Sequence, residues 1–267
     1  MIVAIRKSNH EKVFAFEEKL EGEEYYCPCC KLPVIHHNST ARLREPHFKH
    51  KSKETLCPNA TKESQWHYDT KISIYNYLKQ TYSSNFRELE LEKSLFNGSQ
   101  RADVFLKTMK GNNIAIEVQS SVLTVDEIKR RTSLYFKNSI YVLWLLKYNL
   151  SRFICNTIVT PYGKPIRNVT KLNAMELWLH EAYLGRLYFW NPTRPSFIWV
   201  ELADVFSEDS SFYSDGEEQY FYGKKLKTKK EIMRDKIGVD FREFRIGQFG
   251  EINNSNIPNR KIFYVGR

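Results

Sequence analysis

Two carboxylates lie at the centres of neighbouring apolar segments: Asp103 in residues 101–106 and Glu117 in residues 113–119. Apolar and polar residues alternate in both segments, so each is predicted to be a strand. The Gly-Asn-Asn sequence between them predicts a hairpin in which the two side chains can approach each other. Carboxylates are costly to bury unless they are paired with a base or bound to a cation. One hypothesis is therefore a site for Mg²⁺ or Mn²⁺, which prefer oxygen ligands; the other is that Asp103 pairs with a base such as Arg101 while Glu117 lies on a solvated face.

A second set of residues with metal-binding chemistry precedes the two strands. Cys27 and Cys30 have the two-residue spacing typical of a zinc knuckle, and histidines and a further cysteine follow within reach of one ion. Structural zinc takes four nitrogen or sulfur ligands in a tetrahedron, and a module this small has a physical reason to need such a staple. The alternative is a set of reduced cysteines beside surface histidines. The ligands that we expect are Cys27, Cys30, His50 and Cys57, with His47 in reserve and Cys29 least favoured.

The helix predicted for residues 62–82 carries polar residues on its inward stripe. At about 100° per residue, this stripe continues the buried face that Ile74 and Leu78 mark in the C-terminal half of the helix. We expect its polar members to line a cavity or a site; the alternative is that the first turns overhang the sheet edge into water. These members are Glu63, His67 and Lys71.

Two further strands are predicted, one before and one after the hairpin that carries Asp103 and Glu117. The glutamates of the strand predicted at residues 86–95, including Glu92, are interpreted as a solvated or edge face rather than a site. The run 140–146 is apolar on both faces, which is typical of an interior, parallel strand. The predicted order is helix, three strands, helix, strand.

The second helix is predicted from about residue 125 to residue 137, after a capping box of Thr124 and Glu127. Arg131 and Tyr135 lie one turn apart on it. Two interpretations stay open for this pair, a contact to phosphate and an ordinary surface pair.

Beyond residue 153 the periodicity is weaker. Residues 172–188 predict a helix and residues 196–201 a strand. The lysine-rich run 223–236 is interpreted as the solvated face of a helix, in preference to a surface that tracks a nucleic-acid backbone beside neighbouring aromatic residues.

The composition limits which partners and which cellular location are expected for the protein. A net charge of +10 and an isoelectric point near 9.2 suit a polyanionic partner, although a merely soluble basic protein has them too. No run approaches a membrane span, and the N-terminal residues do not form a signal peptide. Five cysteines, an odd number, argue against a disulfide framework, so the cytoplasm is the expected location.

The order of these elements resembles the core of PD-(D/E)XK nucleases, with Asp103 on the second strand and Glu117-Val-Gln119 on the third. Together with the cysteine–histidine module and the polar helix, the pattern resembles the competence protein CoiA family over roughly residues 1–150. The resemblance implies that Asp103 and Glu117 are catalytic metal ligands, that Glu63 is the helix acid, and that Gln119 occupies the usual position of a lysine. An amide carries no charge, so Lys71 is a candidate for the missing positive charge.

The resemblance also implies an architecture. We expect a small zinc-ribbon-like β module at residues 1–60, a nuclease-like α/β core at residues 61–153, and a mixed α/β C-terminal region at residues 154–267 whose fold the sequence leaves open.

The implied function is hydrolysis of DNA phosphodiesters by a Mg²⁺- or Mn²⁺-dependent deoxyribonuclease, in the processing of DNA taken up during transformation. DNA is the expected partner, and other proteins of DNA uptake or recombination are candidate partners. Two alternatives belong to different classes: a catalytically degenerate DNA-binding accessory protein, and a zinc-stapled adaptor between proteins whose carboxylates are structural.

Overall fold

In the described residues the chain builds a small hydrophobic core in an N-terminal sheet and a large one around a ten-stranded sheet. The computed structural model describes residues 1–17, 22–38, 45–52, 57, 63–153, 158–159, 165–166, 169–206, 210–239, 244–248 and 261–265. The architecture is mixed α/β, as expected, and most of its core is sheet.

The N-terminal module contains five short strands: β1 (Val3–Arg6), β2 (Lys12–Phe14), β3 (Tyr25–Tyr26), β4 (Pro33–His37) and β5 (His47–His50). They form an antiparallel sheet in the order β2-β1-β3-β4-β5. Its core is small because few apolar side chains meet there, among them Ala4, Val34 and Phe48. Two of the predicted zinc ligands, Cys27 and Cys57, belong to this core.

The central region has the predicted order of elements: α1 (Gln65–Tyr82), β6 (Phe86–Leu95), β7 (Gln100–Thr108), β8 (Asn113–Gln119), α2 (Val125–Lys137) and β9 (Ile140–Lys147). The predicted hairpin is confirmed, because β7 and β8 are antiparallel with Val104 opposite Ile116. The predicted interior strand is also confirmed: β9 runs parallel to β8 and is buried from Val142 to Leu146. The buried residues Ile74 and Leu78 of α1 belong to this core.

The elements after β9 are α3 (Leu150–Phe153), β10 (Ile158–Val159), β11 (Pro165–Ile166), β12 (Val169–Lys171), α4 (Ala174–Ala182), β13 (Arg186–Asn191), β14 (Ser196–Phe206), β15 (Ser210–Ser214), β16 (Glu217–Phe221), β17 (Lys225–Val239), β18 (Phe244–Gln248) and β19 (Lys261–Val265). Eight strands of the large sheet have the order β12-β17-β14-β13-β9-β8-β7-β6, with β13 parallel to β9. The other two strands of this sheet are β19, which pairs with β9, and β18, which pairs with β19. No helix among the described residues is long and apolar enough to cross a membrane.

In this region one predicted helix is shorter than expected, and one expectation was wrong. The helix predicted at residues 172–188 ends at Ala182, because Leu184 and Gly185 adopt left-handed backbone angles and Gly185 N–H donates to the His180 carbonyl at 2.8 Å, as in a helix C-cap. The lysine-rich run is a strand rather than a helix, since residues 225–239 pair with β14 along most of their length.

Candidate active site and zinc centre

The helix predicted from residue 62 begins at Gln65 after the N-cap Ser64, so Glu63 lies one residue before the helix and His67 and Lys71 lie on it. Ser64 Oγ accepts a hydrogen bond from His67 N at 3.2 Å, which fixes the first turn. His67 Nδ1 forms an ion pair with Glu63, and its Nε2 lies 3.2 Å from Asp103 Oδ2 and 2.9 Å from the Val118 carbonyl. Burial lowers the pKa of His67, but the charge of Asp103 and the hydrogen bonds to both carboxylates raise it to about 9. The imidazolium therefore joins α1 to β7 and β8.

Lys71, one turn further along α1, is completely buried. Its Nζ lies 2.5 Å from Glu63, 2.6 Å from Glu92 and 3.9 Å from Asp103. Burial disfavours the charged amine, but these three carboxylates outweigh it and raise the pKa of Lys71. The polar half of α1 thus points inward, and the alternative of an overhang into water is wrong. We call Glu63, His67, Lys71, Glu92 and Asp103 the Lys71 cluster.

Asp103 is 5 % exposed and belongs to this cluster. Its Oδ2 accepts a hydrogen bond from Val118 N at 2.8 Å, so the carboxylate reaches the neighbouring strand directly. Burial raises the pKa of Asp103, but His67, Lys71 and the Val118 N–H hold it well below its usual range. Asp103 is therefore an ionised carboxylate inside the protein.

Glu117 is held by a different set of donors. Its Oε2 lies 2.5 Å from Arg131 Nη2, and its Oε1 accepts hydrogen bonds from Gln100 Nε2 at 3.1 Å and from the hydroxyl of Tyr135. Burial raises the pKa of Glu117, while Arg131 opposes that shift. The interpretation of the α2 pair as an ordinary surface pair was wrong, because Tyr135 is buried and both side chains bind Glu117 of β8. A contact of this pair to phosphate stays a prediction.

Gln119 ends β8 at the edge of this region and is 9 % exposed. Its Nε2 donates hydrogen bonds to the Ser121 carbonyl at 2.5 Å and to Ser121 Oγ at 3.3 Å. Among the described residues no hydrogen bond joins it to Asp103 or Glu117. In this arrangement its amide fixes the loop that leads to α2.

The predicted zinc ligands converge on one point. One ligand atom from each of the four residues lies within 4.8 Å of the others, with 3.7 Å between Cys27 Sγ and Cys57 Sγ and 3.3 Å between Cys30 Sγ and His50 Nε2. Usual zinc bond lengths give tetrahedron edges of about 3.8 Å between sulfurs and about 3.5 Å between sulfur and nitrogen. This Cys₃His group, called the zinc cluster here, could therefore hold a zinc ion.

A tight turn brings the first two cysteines of the zinc cluster together. Lys31 N–H donates to the Cys27 carbonyl at 3.0 Å, and Lys31 has a left-handed backbone with φ of 62°. The reserve residues point elsewhere: His47 Nδ1 is 2.9 Å from the Glu45 carbonyl, and Cys29 Sγ is 3.6 Å from the Gly98 carbonyl. The choice of His50 over His47, and the exclusion of Cys29, agree with this geometry.

The family model described as the nuclease-like domain of competence protein CoiA matches residues 63–220. That range covers more than half of the chain. The chain belongs to the CoiA nuclease-like family.

A curated relative of the family is the competence protein CoiA of Bacillus subtilis (strain 168). It is 27% identical over 134 residues, which are 49% of this chain and 34% of that protein. The chain therefore aligns with about a third of the length of this relative. No solved structure matches the chain.

Glu92 is a second residue of the candidate site that sequence reasoning assigned wrongly. It was expected on a solvated or edge face, yet it is 1 % exposed and contacts Lys71. Its φ of 48° is left-handed, which interrupts the alternation on which the expectation depended. His67 lies on the predicted stripe, but no local signal shows that it meets Asp103, 36 residues away.

The donor chemistry of the candidate site fits a hard divalent cation. Carboxylate oxygens are the preferred ligands of Mg²⁺ and Mn²⁺. Glu63 Oε2 is buried and has no hydrogen-bond partner in the part of the chain that the structure describes, so it is an available acceptor. Cationic side chains of the protein compete with a divalent ion for these carboxylates, because four carboxylates face four cationic side chains. Within the described residues, the group of three or more ligand atoms that converges without rearrangement is the zinc cluster. The acids are Glu63, Glu92, Asp103 and Glu117, and the cations are His67, Lys71, Arg101 and Arg131.

Proposed function

We propose that this CoiA-family protein is a metal-dependent deoxyribonuclease that hydrolyses DNA phosphodiesters. The observation that carries the proposal is the Lys71 cluster, in which the buried acids Glu92 and Asp103 of two strands and Glu63, just before α1, meet around Lys71. The family model covers all of these residues. The relative's name supports a role in competence, and we infer that the substrate is DNA taken up during transformation.

Each residue has a role in this proposal. Asp103 and Glu117 would hold Mg²⁺ or Mn²⁺, with Glu63 as the third acid. When bound, such an ion lowers the pKa of a water molecule and stabilises the charge that develops on the phosphate. His67 orients Asp103 through its hydrogen bond to the carboxylate. Lys71 supplies positive charge beside the acids, which the uncharged Gln119 cannot do.

The zinc cluster has a structural role in the proposal. Its four side chains leave no open coordination position for a substrate, as is usual for structural zinc. The small core of the N-terminal module is too modest to be the main source of its stability, so zinc would supply folding free energy there.

One set of observations favours a second candidate, a DNA-binding accessory protein without catalysis. Each carboxylate of the site is already neutralised by cations of the protein, and Gln119 stands where the nuclease pattern has a lysine. A divalent ion must therefore displace His67 or Lys71 from Asp103 before it can bind.

The test is a cleavage assay with the purified chain and labelled single- and double-stranded DNA, with Mg²⁺, Mn²⁺ or EDTA. We expect cleavage with a divalent ion, none with EDTA and none by Asp103→Asn. The matched control is Asp69→Asn, an exposed carboxylate of the same helix as Lys71, which should cut like the wild type.

Two results would overturn the proposal. Wild-type protein that binds DNA but cuts none with any ion would decide for the accessory protein. Equal cleavage by wild type and Asp103→Asn would place the activity in a contaminating nuclease or elsewhere in the chain.

A further inference from the structure

Glu92 joins the candidate active site to the N-terminal module. Its Oε1 lies 2.6 Å from Lys71 Nζ, while its Oε2 accepts hydrogen bonds from Ile2 N at 2.8 Å and Val3 N at 3.3 Å. Ile2 and Val3 are fully buried. One carboxylate of the large sheet therefore binds both the cluster lysine and the backbone at the start of β1.

The backbone that Glu92 binds is fixed by the strands that carry the zinc ligands. Phe48 N–H, two residues before His50 in β5, donates to the Met1 carbonyl at 2.9 Å, and Cys27 Sγ lies 3.9 Å from Met1 Sδ. β1 also pairs with β3, which ends directly before Cys27. A contiguous set of contacts thus leads from the zinc cluster through residues 1–3 to Glu92 and Lys71.

We propose that Glu92 is a positioning residue, which holds the Lys71 ammonium in the candidate active site only while the zinc module is folded. The inference rests on the proposed function, since it assigns Lys71 a place in that site. Its consequence is that loss of zinc at one end of the chain disables a site on another sheet, without any zinc ligand touching that site.

The physical reason is that the buried carboxylate of Glu92 is stable in its position only while its hydrogen-bond and ion-pair partners are in place. Glu92 has a backbone with φ of 48°, which non-glycine residues adopt at a cost, so its orientation depends on the contacts that its side chain makes. If residues 1–3 detach, Glu92 loses two N–H donors, and a buried acceptor left without its donors carries a desolvation penalty. The carboxylate then turns toward water, and Lys71 loses its closest partner apart from Glu63.

The first arm of the test observes Lys71 itself by NMR of ¹⁵N-lysine-labelled, zinc-loaded full chain. A fully buried ammonium in three ion pairs should give a resonance protected from exchange with water, assigned by its absence in Lys71→Arg. We expect this resonance in the wild type and its loss in Glu92→Gln. Glu90→Gln is the matched control, because Glu90 lies on the same strand but pairs with Lys12 and Lys93 near the surface.

The second arm removes zinc from the wild-type full chain with a chelator, so it needs no variant to fold. We expect the Lys71 resonance to disappear and amide exchange at Ile2 and Val3 to accelerate, while α2 and β9 stay protected. A Lys71 resonance that persists after zinc removal, or that survives in folded Glu92→Gln, would overturn the proposal.

The kinetic arm separates positioning from binding. In Glu92→Gln we expect kcat for DNA cleavage to fall about tenfold or more, as for other residues that orient a catalytic group, with KM little changed. A rise in KM at unchanged kcat would contradict a positioning role. If the wild type cuts no DNA, the proposed function fails while the two NMR arms still decide whether Glu92 links zinc to Lys71.

Discussion

Glu117 illustrates what one charged side chain needs at the centre of this sheet. It is 1 % exposed, and three side chains satisfy its two oxygens: Arg131, Tyr135 and Gln100. A buried ion pair adds little net stability compared with apolar packing, but removing one partner leaves an uncompensated charge. The partners of Glu117 are therefore as constrained as the carboxylate itself.

Arg131→Gln should lower the free energy of unfolding by about 3 kcal/mol, toward the low end of what breaking a buried pair costs. Arg130→Gln is the matched control, since the neighbouring Arg130 pairs with Glu127 in a largely exposed position and such pairs contribute less than about 1 kcal/mol. Urea denaturation of both variants measures the difference. Equal stability of the two variants would mean that Glu117 does not depend on Arg131.

At the scale of elements, the N-terminal module has a small apolar core to which two residues of the zinc cluster belong. The five strands are two to five residues long, and Cys27 and Cys57 occupy core positions themselves. In so small a module a metal can supply the folding free energy that apolar burial does not.

Cys30→Ser should therefore release zinc and speed amide exchange throughout β1–β5. Cys29→Ser, one residue away and outside the zinc cluster, should retain zinc and wild-type exchange. Metal analysis and hydrogen exchange measure the two effects. Native, reduced wild-type protein with no zinc and a protected N-terminal sheet would contradict the structural role of the cluster.

The packing of α4 on the sheet should depend on pH through His180. His180 Nε2 lies 3.0 Å from the Leu202 carbonyl, and its buried Nδ1 has no hydrogen-bond partner among the described residues. Burial lowers the pKa of His180 below the ordinary 6.5, despite the hydrogen bond to Leu202. Since the unfolded chain then binds the proton more readily, the contribution of His180 to stability is present above pH 6.5 and is lost as the pH falls through the folded-state pKa.

His180→Gln should consequently reduce the loss of stability between about pH 7 and pH 5 relative to the wild type. His10→Gln, at an exposed turn, should leave that loss unchanged. Thermal unfolding measured from pH 7 to pH 5 tests this prediction. Parallel profiles of stability against pH for the wild type and His180→Gln would show that His180 does not cause the loss.

At the scale of the whole molecule, one sheet crosses the boundary predicted at residue 153. β13 lies against β9, and Phe153 packs on Phe189 with ring centroids 4.9 Å apart. The central region therefore shares its core with the part of the chain that follows it.

A fragment of residues 61–153 should fail to fold cooperatively, because it exposes the edge of β9 and the apolar surface that β13 covers. Circular dichroism and size-exclusion chromatography compare it with the full chain. A soluble monomer with a cooperative thermal transition would instead establish residues 61–153 as an independent domain.

The net charge of +10 gives a second prediction at this scale. If DNA is the partner, four phosphate contacts would reduce the affinity about a hundredfold between 50 and 200 mM salt, through counterion release. Fluorescence anisotropy with a labelled oligonucleotide measures this slope. If the affinity for DNA does not change over that range of salt concentration, the net positive charge affects solubility alone.

Local pattern was enough to predict the elements that form by short-range rules. Apolar alternation gave the bounds of β8, the capping residues gave those of α2, and cysteine spacing gave the zinc cluster. These predictions succeeded because strand alternation, helix caps and metal knuckles depend on residues only a few positions apart.

Only the tertiary structure decided which charges meet. Lys71 pairs with Glu92 across 21 residues, and Glu92 binds Ile2 across 90. The lysine-rich run is a strand because it pairs with β14, although its own composition predicted the solvated face of a helix. Such contacts depend on strand register and on backbone angles like that of Glu92, and both are fixed by packing between distant segments rather than by local sequence.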